Sequence, residues 1–157
     1  MNEPLPFLPR AALRLGFLGL VPLAVSALVS LSQHHDTARL GALSFSVYAA
    51  ALLSFLGGVR CGFELMRAPQ SPDVLRLVFS ALPALAGWAL ALLVVIVPSA
   101  LGASSAFAGI FAAQYVWDHR SAEGGAPAWY PLLRRVLTGG AMIVCLLIPL
   151  ATVLRRI

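Results

Sequence analysis

The chain has 157 residues, 60% of them hydrophobic and only 11% charged, with a net charge of +5. Soluble domains carry about 25% charged residues and about 45–50% apolar ones, so the composition excludes an ordinary water-soluble globule. All 11 basic residues are arginine, and none forms a stripe interleaved with aromatics. That argues against a nucleic-acid partner and for membrane orientation and contact with lipid headgroups. Cys61 and Cys145 lie inside apolar runs and read as small core residues. They build neither a disulfide framework nor a metal-ligand spacing, so no metal and no cofactor is expected.

A membrane-crossing helix needs about 20 mostly apolar residues. Five stretches qualify, at about residues 11–31, 40–63, 74–97, 99–117 and 130–154, in one domain over residues 1–157. The first could be a signal peptide, with Arg10 and Arg14 ahead of it and Ala-Val-Ser-Ala at 24–27 as a faint cleavage site. Its apolar run, from Leu15 to Leu31, exceeds the usual h-region of about 7–15 residues, so it is expected to be retained. Asp73, after the breakers Pro69 and Pro72, is placed to cap the third helix. The third and fourth are separated only by Val97-Pro98-Ser99. The alternative, a single helix from Val74 to Trp117, would be roughly twice the length that a bilayer of about 30 Å requires. Pro22, Pro83 and Pro149 fall inside spans, where proline is common.

Arginine counts near the helix ends set the orientation. With the N-terminus inside, Arg10, Arg14, Arg60, Arg67, Arg76, Arg120, Arg134 and Arg135 are cytoplasmic, against Arg39, Arg155 and Arg156 outside. The expected fold is therefore an all-α integral membrane bundle of five transmembrane helices, N-terminus cytoplasmic and C-terminus periplasmic. The alanine- and arginine-rich, lysine-free composition suits a GC-rich genome and a bacterial inner membrane.

In the second span Ala50, Ser54, Gly58 and Gly62 recur every fourth residue. This stripe of small side chains lets a neighbouring helix approach closely, within the bundle or on a partner. Arg60 and Glu64 end the same helix, and Asp118 ends the fourth on that side. Trp129 and Tyr130, suited to the membrane interface, open the fifth ahead of Arg134 and Arg135. Arg60, Glu64, Asp118 and Arg134 form a cluster of ion-pairing or ligand-facing charges. Within it Arg60 is expected to pair with Asp118, with Glu64 as a second acceptor, because an arginine N-terminal to its acid is the weaker order for an i,i+4 pair. Arg67 is expected to lie in the following loop and to matter less. His34, His35 and Asp36 sit in a loop and read as ordinary polar residues rather than a metal site. No nucleophile elbow, HExxH, P-loop or paired-carboxylate motif is present, so no catalytic residue is assigned.

Several segments taken together carry a resemblance: Tyr48 to Gly62 (YAAALLSFLGGVRCG, with SFLGGVR at 54–60), Pro83, Trp88, Asp118 and PAWY at 127–130 before Leu-Arg-Arg-Val-Leu-Thr at 133–138. The pattern resembles a bacterial membrane-protein family of unknown function related to mitochondrial transmembrane protein 69. The resemblance implies a multi-span inner-membrane protein and supplies no activity. Where that family carries Trp beside the motif's Arg or His, this chain has Cys61. The function expected from the residues is non-enzymatic: an accessory subunit or assembly factor packing against a larger membrane complex, a respiratory one being a candidate. The alternative is a small transporter or a lipid- or quinone-binding protein that uses the charged cytoplasmic end.

Overall fold

The computed structural model describes residues 9–97, 100–120 and 126–154. They form α1 (Arg10–Ser30), α2 (His35–Arg67), α3 (Val74–Ile96), α4 (Ala100–Arg120) and α5 (Tyr130–Leu154), with no strand among the described residues. The split of the third and fourth segments into two helices holds; their turn at 98–99 lies outside the described residues. Four helices, α1, α2, α3 and α5, are long and apolar enough to cross a membrane. α4 is as long as α1, at 21 residues, but its Gly, Ser, Gln and terminal charged residues leave it less apolar.

The largest departure from the expected boundaries is α2, which runs 33 residues from His35 to Arg67. At about 1.5 Å per residue it is roughly 50 Å long, well beyond a hydrocarbon core of about 30 Å. Hydropathy marks only its apolar centre. The polar turns at both ends stay helical because Asp36 stands in the first turn and Arg67 in the last, each complementing the helix dipole. Asp73 caps α3 as expected, its Oδ1 accepting from the N–H groups of Leu75 at 2.9 Å and Arg76 at 3.4 Å.

Helices adjacent in sequence pack together, and α1 against α5 closes the ring. The core joins Leu23 and Ala27 of α1, Phe45, Ala49 and Leu53 of α2, Phe107 and Phe111 of α4, and Ala141, Cys145 and Ile148 of α5. Phe45 and Phe107 meet edge to face with centroids 6.0 Å apart, a favoured aromatic geometry. α3 supplies no member of this buried cluster. It lies flush on α2 instead, where glycines replace side chains. A Cβ at Gly57 would collide with the Ser80 carbonyl oxygen, and one at Gly87 would lie 3.1 Å from the Ala50 Cα.

Within the bundle, the expected stripe is rotated away from the α2–α3 contact. Of Ala50, Ser54, Gly58 and Gly62, only Ala50 joins this crossing; Ser54 and Gly58 are exposed, and a Cβ at Gly58 or Gly62 would meet nothing within 4 Å. The inward face of α2 runs through Ala42, Ser46, Ala49, Leu53 and Gly57 to Glu64. α1 and α5 interlock similarly, with Leu137 seated over Gly16 and Leu20 over Gly140.

Candidate functional site

The charged cluster resolves into two nodes. The first sits where α2 turns into α3. Glu64 is the buried terminal member of α2's inward face, and Arg67 grips it with both arms: Nε donates to Oε2 at 3.1 Å and Nη2 to Oε1 at 2.7 Å. The Asp73 N–H donates to Oε1 at 3.3 Å, and Arg76 Nη1 lies 3.8 Å from Oε2. Arg76 also approaches Asp73 at 3.5 Å. Glu64 thus organises its own turn instead of serving Arg60, and Arg67 is a principal partner rather than a loop residue. Pro69 and Pro72 bring the chain back within that reach.

The second node joins α4 to α5. Asp118 and Arg134 are both buried, their side chains 9% and 5% exposed. Arg134 Nε donates to Asp118 Oδ2 at 2.9 Å, and Nη2 stands 2.9 Å from the same oxygen at an angle that makes no hydrogen bond. The expected Arg60–Asp118 pair is thus corrected: Asp118 is taken by Arg134, and Arg60 acts on it through its charge. Both arginines reach the same end of the bundle, and rotation of α5 decides between them. Arg134 lies on the buried face of α5 with Thr138, Ala141, Cys145 and Ile148.

This node is under-satisfied. Asp118 Oδ1, Gln114 Oε1, Trp117 Nε1, Arg134 Nη2 and Thr138 Oγ1 are buried without a hydrogen-bond partner, where such groups are normally paired. Three cavities meet around it. One of about 280 Å³, between α2, α3 and α4, is lined by Arg60, Ser80, Gln114, Trp117 and Asp118. A second, of about 240 Å³, is lined by Arg60, Asp118, His119, Tyr130 and Arg134. The third is an apolar cleft of about 430 Å³ between α1, α2 and α5, with Trp129, Tyr130, Arg134 and Thr138 on its wall. Trp129 and Tyr130 do more than mark an interface: Tyr130 packs edge to face on Phe63 at 4.8 Å, tying α5 to the end of α2. Arg135 is exposed and donates to the Tyr115 hydroxyl at 3.2 Å.

Sequence reasoning missed Gln114 and Thr138, and it placed Arg76 at the charged end without giving it a partner. The signal for the first two was available: Gln114 and Asp118 share a face of α4, and Arg134 and Thr138 share a face of α5, at i,i+4 spacing.

The described residues are all helical in their regular structure, four of the helices are long and apolar enough to cross a membrane, and the chain is a multi-pass membrane protein. It belongs to the DUF3429 family of proteins of unknown function, whose profile matches residues 8–151. It is 34% identical over 139 residues to transmembrane protein 69 of Xenopus tropicalis, a match covering 83% of this chain and 50% of the relative. It is 35% identical over 82 residues to transmembrane protein 69 of Mus musculus, covering 52% of this chain and 33% of the relative. These matches span half or less of the length of the curated relatives. No solved structure matches the chain.

Proposed function

We propose that the chain is a non-enzymatic accessory subunit or assembly factor that docks a transmembrane helix of a larger complex, a respiratory one being a candidate, in a bacterial inner membrane. In this reading all five helices cross, with the N-terminus cytoplasmic and the C-terminus periplasmic. The observation that carries it is one exposed face of α4, where Gly102, Ala106, Gly109 and Ala113 recur at spacings of four, three and four residues, Ala113 also standing at the mouth of the cavity between α2, α3 and α4. A Cβ at Gly109 would meet nothing within 4 Å. Lipid gains little from such a face, whereas another helix can approach it closely. Covering it with protein also explains how the least apolar helix tolerates a membrane. α2 adds a second exposed small pair, Ser54 and Gly58.

Extraction in mild detergent followed by identification of copurifying membrane proteins tests the reading. Wild type is expected to bring down one defined integral partner, and Gly109→Leu to lose it while keeping its own thermal stability. A monodisperse lone protein, or a Gly109→Leu variant that retains the partner, overturns the docking face. The topology is tested separately by reporters: one fused after residue 157 should report the periplasm, and one inserted near residue 124 the cytoplasm.

A further inference from the structure

We propose that the cleft between α1, α2 and α5 is a binding site for one anionic phospholipid, its phosphate at Arg134 and Thr138 and an acyl chain along α1. This goes beyond the docking role and needs no protein partner. The cleft of about 430 Å³ falls in the range of ligand pockets, about 300–1,000 Å³. Its walls are apolar for most of their length. Leu15 and Phe55, which line it, are 69% and 66% exposed, so it opens sideways, where a lipid would enter from the bilayer. From Ala12 to Leu20 the α1 wall extends roughly 12 Å, long enough to hold a substantial part of an acyl chain.

The polar end supplies the selection. Thr138 is 4% exposed, lines the cleft, and has a hydroxyl without a partner. The other buried hydroxyls behave differently: Ser30, Ser46, Ser80 and Ser104 each donate to a carbonyl three or four residues back in their own helix. Thr138 could do so, as Thr152 does to the Ile148 carbonyl, yet it is left free. One turn away Arg134, 4% exposed, lines the same cleft; its Nη2 stands 2.9 Å from Asp118 Oδ2 without hydrogen-bond geometry, so it has donor capacity beyond the Nε bond. Two donors on one wall call for an acceptor. The charge makes that acceptor an anion, because Arg134 lines the cleft while Asp118, which it pairs with, does not, and Glu64 is committed to the α2–α3 turn. Arg14 adds a further exposed positive charge on α1, beside Leu15 and Gly16 of the cleft. Basic pockets between helices on the cytoplasmic side are suited to anionic headgroups.

Native mass spectrometry of the full chain, released from nanodiscs of equal phosphatidylglycerol and phosphatidylcholine, tests the proposal. Wild type should retain one phosphatidylglycerol, with about tenfold preference over phosphatidylcholine. Gly19 lines the cleft and has open space where a Cβ would stand, with nothing within 4 Å, so Gly19→Leu should occupy part of the cleft and abolish retention of the bound lipid. Thr138→Val should leave thermal stability unchanged and weaken phosphatidylglycerol about tenfold, equivalent to about 1.4 kcal/mol. Equal retention of both lipids, retention unaffected by Gly19→Leu, or a Thr138→Val variant with wild-type preference each overturns it. So does displacement of the retained lipid by an uncharged isoprenoid quinone, which would show a site that reads the chain and not the charge.

Discussion

The two charged nodes stand at the same end of the bundle and differ in kind. At the α2–α3 turn every partner lies within twelve residues of Glu64, and the carboxylate is covered by Arg67, the Asp73 N–H and Arg76. At the α4–α5 contact one bond joins Asp118 to Arg134, while neighbouring polar atoms from both helices are buried without partners. The first node is a local clasp in which the Glu64 carboxylate is satisfied and only Arg76 Nη1, 3.8 Å from it, is buried without a hydrogen bond. The second holds helices together with donors and acceptors to spare, and cavities converge on it. The two nodes differ in how far their buried polar atoms are satisfied more than in charge.

The contrast breaks most severely at Asp118. Asp118→Ala or Arg134→Ala leaves a buried charge uncompensated and should cost about 3–5 kcal/mol, whereas replacing both by leucine should recover most of that loss. Thermal unfolding in detergent reads both. A double variant no better than the singles would show that the pair does more than cancel charge. Next comes the seam beside the local clasp. Gly57→Leu forces a side chain into the Ser80 carbonyl and should destabilise by at least the roughly 1–3 kcal/mol of an overpacked core, while Gly58→Leu should stay within about 0.5 kcal/mol of wild type. The same melting measurement compares them, and equal effects would put the α2–α3 crossing elsewhere. Glu64→Gln should lower the melting temperature less than Asp118→Asn does, because the arginines it releases can reach solvent. A larger fall for Glu64→Gln would reverse the ranking of the nodes. The smallest expected effect is Thr138→Val, which removes a hydroxyl with no intramolecular bond to lose.

The sequence revealed the five helices because each apolar run is bounded by breakers or charge, and α5 falls at the expected residues 130–154. Which face of a helix turns inward was less legible. In a membrane the outer surface is apolar too, so hydropathy does not separate Gly57 from Gly58, adjacent residues about 100° apart on one helix. The same ambiguity hid the partner of Asp118. Arg60 and Arg134 come to the same membrane boundary, and the choice rests on rotations set by packing at Phe45, Phe107 and Cys145. Glu64 and Arg67 were readable as an i,i+3 pair. The error lay in treating Arg67 as loop when its helix continues through it.

The closure of the ring by α1 against α5 bears on biogenesis. During synthesis α1 emerges before α5, and its Gly16 and Leu20 meet Leu137 and Gly140 only after α5 has been made. Contacts so distant along the chain are late events in folding. The α1 helix must therefore wait with that face uncovered while α2, α3 and α4 assemble. The cleft, one wall of which is α5, comes into being at that final step, so a chain that stopped after α4 would carry the α2–α3 clasp and no cleft at all.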